Sequence, residues 1–440
     1  MSPSGEHRLW LGGWFDGSPD PLVDVTWEAG GRRGQWHGLE VTWRRVRAAG
    51  LGIWMGIAEL PPLTSILHRI TAVTHHGSTI ATNISLVGFP TEIPPVGDNH
   101  SFRVVLSSCF ARDQDNGKLG ETLQVLQQRS LPHLKILCGD QLYLDQPVLQ
   151  NLSDDQVVLA DQLAHKYWTS WSDESFASYL RWGANAFISD DHEFWNNYPY
   201  ATGIAENTWS ESGRAQWGNV ATDLFVGFQT CARAKEQVQP YRLVVGNRSR
   251  IDVFALDGRL FRTRDKAHDP QHLAQAVEWI GRLSCPGVLV LSQPLFERSR
   301  GWFAQRVTDA HIQDLDDYPC LARALYRAQH DILVLSGDIH GGRVARAEFP
   351  SARVYEIVSS PTALVRGSPY HRHRADKTFP AQRIRDVAQV QVTSTEPIQY
   401  DHIAILSFQS VGPQIKVDVE FRSLDPRHAS VRYDKTIRLR

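Results

Sequence analysis

The run ILVLSGDIH, residues 332–340, decides the fold. Its first four residues are apolar on both faces, the mark of a strand buried between two layers. Ile332 to Gly337 reads as that strand. It runs into Asp338 and, two residues on, His340. Apolar packing does not require a carboxylate and an imidazole there, yet the arrangement recurs upstream. Phe102 to Ser108 runs into Cys109, Leu134 to Gly139 into Asp140, and Ala184 to Ser189 into Asp190, Asp191 and His192. Ile251 to Leu256, Val288 to Ser292 and Val354 to Val358 read as further strands. Helices are predicted between them, at Leu119 to Arg129, Glu174 to Arg181 and Gln271 to Leu283. In α/β sheets the carboxyl ends of strands face the ligand crevice. Four such ends gather a thiol, several carboxylates and two imidazoles on one rim.

Outward from this α/β core the pattern changes. Six of the 14 tryptophans fall before residue 55, at Trp10, Trp14, Trp27, Trp36, Trp43 and Trp54. Val23 to Trp27 and Leu39 to Trp43 are short alternating segments bounded by Gly and Pro, which predicts antiparallel strands. Phe89 to His100 has three prolines and no periodicity, and reads as a connector. His402 to Phe408 and Gln414 to Phe421 read again as strands. The expected division is a β-rich N-terminal domain at 1–95, an α/β domain at 96–385, and C-terminal strands at 386–440 that complete it.

Composition narrows the class. The chain has 440 residues, 42% hydrophobic and 21% charged, enough to bury a sizeable core and too apolar for disorder. A net charge of −2 argues against nucleic-acid binding by charge alone. Five sparse cysteines (Cys109, Cys138, Cys231, Cys285 and Cys320) do not make a disulfide framework and fit a reducing compartment. The N-terminus lacks a basic region followed by an apolar stretch, and no run reaches the roughly 18 apolar residues of a membrane span. The expectation is a cytoplasmic protein with no membrane partner.

Each polar strand end has a bland reading. Gly-Asp after a strand is a common turn. A lone Cys is commonly a small buried hydrophobe. Asp190-Asp191-His192-Glu193 suits a helix N-cap. The conjunction is what carries weight. Carboxylates crowded at one place repel, and a bound cation removes that cost.

The segments in order resemble those of the PhoD-like alkaline phosphatases and phosphodiesterases, in the calcineurin-like metallophosphatase superfamily. Ser107-Ser108-Cys109 resembles their Gly-Ser-Cys, and Leu137 to Tyr143 (LCGDQLY) their Leu-Gly-Asp-Tyr-Ile-Tyr. Ser189 to Asn197 (SDDHEFWNN) resembles Trp-Asp-Asp-His-Glu-x-x-Asn-Asn. Leu256-Asp257-Gly258-Arg259, followed by Phe261-Arg262, is similar to Leu-Asp-x-Arg-x-x-Arg. Ser336 to His340 matches Ser-Gly-Asp-x-His, and Tyr355 to Pro361 a late Ser-Ser-Pro. Gln141 stands where the family has the first tyrosine of Tyr-Ile-Tyr, and Ser189 where it has tryptophan. The N-terminal region does not clearly match the family's leading β domain.

The resemblance implies a metallophosphatase-type two-sheet βαβ sandwich flanked by helices. It implies a metal-dependent phosphohydrolase that cleaves monoesters, diesters or both with a metal-activated hydroxide or oxide, nucleic acid entering only as a diester. It implies ferric iron plus calcium; the sequence alone also permits manganese or zinc. Cys109, Asp140, Tyr143, Asp338 and His340 would surround iron, with Asp140 bridging. Asp191 and Asn196 would hold the second metal. His192 would protonate the leaving alkoxide or orient the phosphate, with Glu193 fixing its tautomer. Arg259 would clamp the phosphoryl oxygens, with Arg112 behind it; its bland reading is an ion pair with Asp257. The loop His371-Arg372-His373-Arg374 reads as solvated surface, or as a reach over the crevice. His75-His76 has no third partner nearby. Two other classes stay open: a non-catalytic binding module on the same scaffold, and a thiol hydrolase using Cys109.

Overall fold

The computed structural model describes residues 7–15, 17–46, 52–64, 66–74, 81–127, 131–230, 232–299, 310–370, 374–380, 382–424 and 432–440. Among these residues the strands form three sheets. The N-terminal sheet comprises β1 (Arg8–Phe15), β2 (Leu22–Ala29), β3 (Arg32–Arg45), β4 (Gly52–Glu59), β5 (Leu67–Thr74) and β6 (Ala81–Val87). It is antiparallel, in the order β1-β4-β3-β2-β5-β6. Gly30 and Gly31 join β2 to β3 at φ 55° and 76°, the two left-handed positions that a tight hairpin requires. Alternate residues Leu9, Leu11, Val23, Val25, Ile70 and Ala72 make its core, and Trp27, Trp36 and Trp43 pack against it. Trp10 turns instead to the rest of the molecule, where its indole N–H donates to the Gly227 carbonyl at 3.2 Å.

The remaining strands build two stacked sheets. They are β7 (Phe102–Ser107), β8 (Leu134–Cys138), β9 (Ala184–Ile188), β10 (Tyr241–Val245), β11 (Ile251–Ala255), β12 (Gly287–Val290), β13 (Ile332–Ser336), β14 (Arg343–Glu348), β15 (Arg353–Val358), β16 (Thr378–Phe379), β17 (Val390–Ser394), β18 (His402–Val411), β19 (Gln414–Ser423) and β20 (Arg432–Leu439). One sheet has the order β20-β19-β18-β7-β8-β9, the other β10-β11-β12-β13-β15-β14-β17-β16. β7, β8 and β9 are parallel neighbours, as are β11, β12, β13 and β15. β18 runs antiparallel to β7, pairing Ala404 with Leu106.

Side-chain alternation explains the layers. Val104, Leu106, Ile136 and Ile188 face Val253, Val290, Leu333 and Ile357 across the gap between the sheets. Val105 and Leu137 point the other way, onto the helices Gln156–Trp171, Glu174–Leu180 and Glu211–Gln229. Leu289 and Val334 of the second sheet point onto Pro270–Arg282 and Tyr318–Tyr326. Both sheets are thus covered on both faces, which is why their central strands are apolar without alternation. The helices start where side chains cap them: the carboxylates of Asp155, Asp173 and Asp269 each accept two backbone N–H groups of a first turn. The expected strands and helices are present, most with ends displaced by one or two residues; β3 begins at Arg32, seven residues before the expected Leu39, β18 runs three residues past Phe408, and residues 128–130 lie outside the described part.

Candidate metal centre

Two glycines bring the strand ends together. A Cβ on Gly139 would lie 2.3 Å from the Asp190 Cβ, and one on Gly337 would lie 2.3 Å from the Ser108 Oγ. The absent side chains let β8 approach β9 within one sheet, and β13 approach β7 across the sandwich. The residues that follow bend sharply. Cys109, Asp140, Asp338 and His340 have φ of 54°, 55°, 69° and 46°, a region that non-glycine residues seldom occupy. Such strain persists where the surroundings over-determine it, and it clusters at functional sites.

The bends place the side chains in one cluster. One carboxylate oxygen each from Asp140, Asp190, Asp191 and Asp338 falls within 4.8 Å of the others, and Asp140, Asp191 and His192 form a second such set. The Cys109 thiol lies 3.4 Å from Asp140 Oδ2 and accepts from Ser360 Oγ at 3.2 Å. Tyr143 packs its ring 4.3 Å from that of His192. The Tyr143 hydroxyl is buried without a hydrogen-bond partner among the described residues, and so is Asp190 Oδ2. Burial, then repulsion among the neighbouring groups, pushes Asp140 well above the usual carboxylate range despite His192. Asp190 is pushed the same way by burial, with Arg259 opposing. Burial and the nearby Asp140 and Asp338 raise the Cys109 thiol, and burial raises Tyr143. Packed oxygen and sulfur donors with partnerless atoms aimed among them fit cations, which would offset this repulsion.

The next ring of contacts corrects the expected roles. His192 does not turn to Glu193. Its Nδ1 meets the Asp145 carboxylate at 2.8 and 3.0 Å. Asp145 is fully buried and also accepts the Asn196 N–H at 2.8 Å. Glu193 instead accepts the backbone N–H groups of Asp140, Gln141 and Asp190 at 2.8, 2.7 and 2.9 Å, so it ties the β8 loop to the β9 loop. Burial lifts Glu193 to about 7 against these bonds. The N-cap reading of this segment also holds: Asp190 and Glu193 form a reciprocal capping box around the short turn Asp191–Glu193.

Arg259 takes a wall position in place of the expected phosphoryl contact. It is fully buried, its Nε donates to Asp190 Oδ1 at 2.5 Å, and its Nη1 donates to the Tyr198 carbonyl at 2.8 Å. Its ion-pair partner is therefore Asp190, not Asp257. Asp257 receives the Ser189 N–H at 2.8 Å and the backbone N–H groups of Arg259 and Leu260 at 2.9 and 2.8 Å, joining β9 to β11. Arg112 pairs with its neighbour Asp113 at 2.5 Å. Asn196 gives its side-chain N–H to Thr202 Oγ1 at 3.3 Å, and Asn197 gives its backbone N–H to Asp191 Oδ2 at 2.7 Å. His340 is fixed through its backbone N–H to Ser360 Oγ at 3.1 Å, and its ring belongs to neither ligand set among the described residues.

Asp190 and Asp145 were missed as site residues. Asp190 carried a signal, standing directly at the end of β9. Asp145 carried none, because its partner is 47 residues away in sequence. The segments His371 to His373 and His75-His76, with Cys231, lie outside the described residues.

A helix–sheet–sheet–helix sandwich with acidic donors at its strand ends defines a metallophosphatase-type fold. A solved structure that shares it is a purple acid phosphatase from seeds of yellow lupin (Lupinus luteus). The TM-score is 0.56 at 11% identity, over 99% of this chain and 73% of that one. At that identity the likeness establishes the fold. No family model matches the sequence, and no curated protein does. No helix among the described residues is long and apolar enough to cross a membrane.

Proposed function

We propose that the protein is a metal-dependent phosphohydrolase of the PhoD-like type, acting on phosphate monoesters, diesters or both. One observation carries the reading: four carboxylates from three strand ends converge within 4.8 Å, beside a buried phenol that has no hydrogen-bond partner among the described residues. Cys109, Tyr143, Asp140 and Asp338 would hold one ion, with Asp140 shared. Asp190, Asp191 and Asn196 would serve a second. Thiolate and phenolate suit ferric iron, and the carboxylate and amide oxygens suit calcium. When bound, the metals supply Lewis acidity toward the phosphoryl oxygens and toward the attacking water.

The chain's own groups do the rest. His192 has a side chain 13% exposed, so its ring borders the crevice while Nδ1 faces buried Asp145. Asp145 holds the proton on Nδ1 and stabilises the imidazolium, which leaves Nε2–H to protonate the departing alkoxide. Glu193 fixes the loops that carry Asp140 and Asp190. Arg259 holds Asp190 in the wall. Metal analysis of purified protein, with a chelator-sensitive screen of nitrophenyl mono- and diesters, tests the reading. Turnover that is lost with chelator and restored by metal is expected. Metal-free protein that hydrolyses neither ester class would refute it.

A further inference from the structure

We propose that two loops at the mouth of the centre form a subsite for an apolar group of the ester, so that the preferred substrate carries an aryl or long alkyl substituent. The inference rests on the hydrolase reading and narrows its substrate class. The first loop follows β8 and leaves the centre at Asp145. Gln150 closes it by donating to the Leu144 carbonyl at 2.7 Å. Lys166 fastens it from the helix beneath, donating to the same carbonyl at 2.7 Å and also to the Gln146 carbonyl and Gln150 Oε1. A loop pinned this firmly nevertheless turns apolar side chains to water: Val148 is 49% and Leu149 60% exposed. Leu149 has φ 56°, costly for a large side chain, and its N–H is fixed to the Ile204 carbonyl at 3.0 Å.

That bond reaches the second loop, which follows β9. There Trp209 is 60% exposed, with its indole N–H donating to the Thr202 carbonyl at 2.9 Å. Thr202 is the residue that receives the Asn196 side chain. One loop is thus anchored at the partner of His192, the other at a candidate ligand. Single exposed apolar residues are ordinary on any surface. Here three stand on two mutually bonded loops that root at the centre, and one of the three is in strained backbone. The flat indole and the branched Leu149 offer dispersion contact and water release to an apolar substituent, and they offer no charge to a polar one.

The test compares esters that differ in the apolar group and keep a similar leaving group. One pair is phenyl and biphenylyl phosphate; the other is methyl and octyl p-nitrophenyl phosphate. The metal-loaded protein should favour the larger member of the pair it hydrolyses by about tenfold or more in kcat/KM. Leu149→Asn keeps a residue that tolerates the left-handed backbone, and Trp209→Ala removes the indole. The double variant should lose the preference, the ratio of kcat/KM between the two members falling to within about twofold of one. Equal use of both members, or a preference that survives in the double variant, overturns the subsite alone. No turnover of any of the four esters overturns the hydrolase reading and the subsite with it.

Discussion

Replacing Asp145 with Asn removes one charge and leaves the shape. In the native chain the carboxylate meets His192 Nδ1 at 2.8 and 3.0 Å and the Asn196 N–H at 2.8 Å, with no exposure to water. A hydrogen bond to a charged group contributes about 1.5–3 kcal/mol. That bond matters most when His192 is an imidazolium, so its loss falls on proton donation. At about 1.4 kcal/mol per decade, the expected drop in kcat is on the order of 10- to 100-fold for an alkyl phosphate. A p-nitrophenolate leaves without a proton, so its kcat should fall less than about threefold. The assay is steady-state kinetics on both esters, with metal content measured on the same preparations. Equal losses for the two leaving groups, with metal retained, would refute the assignment of His192 as the acid and Asp145 as its positioning partner.

Other expectations follow from the same contacts. Gly139→Ala forces a left-handed alanine and a Cβ 2.3 Å from the Asp190 Cβ; unfolding in urea should show a loss on the order of 3 kcal/mol, and metal content should fall. Tyr143→Phe deletes a buried hydroxyl that has no partner among the described residues, so the metal-free variant should be as stable as wild type or about 1 kcal/mol more stable. If the phenolate binds ferric iron, the same change bleaches the visible absorption of the loaded protein. His402 is fully buried and held by burial at about 4, below its ordinary 6.5. The unfolded chain therefore takes up that proton first: the stabilisation is complete above the ordinary value and is lost as pH falls toward 4. Linkage puts the loss on the order of 3 kcal/mol. His402→Gln should make urea midpoints fall less between neutral and acidic pH; parallel profiles would contradict this.

Much of the fold was legible because buried parallel strands are apolar on both faces, and ILVLS or GVLV can hardly be read otherwise. The candidate donors were legible for a related reason, since Cys109, Asp140, Asp190 and Asp338 each stand where such a strand stops. What was hidden depends on contacts across the sandwich. Nothing near Asp145 in sequence announces that His192 will lie against it. Glu193 looked like the partner of its neighbour, yet the turn Asp191–Glu193 directs it back to the amides of Asp140 and Asp190. Arg259 looked like an anion clamp, but the sharp turn after β11 drives its guanidinium inward to Asp190. Local spacing shows which residues lie at a strand end; which way each side chain turns is decided by its neighbours there.

Cations drawing these donors together are the core of the proposed centre. Its most direct test is the metal content per chain of the wild type and of Asp140→Asn, measured by elemental analysis after exhaustive dialysis. At least one tightly held metal per wild-type chain is expected, with loss of metal and of ester turnover together in the variant. A wild-type protein that is metal-free and turns over esters in the presence of chelator would contradict it.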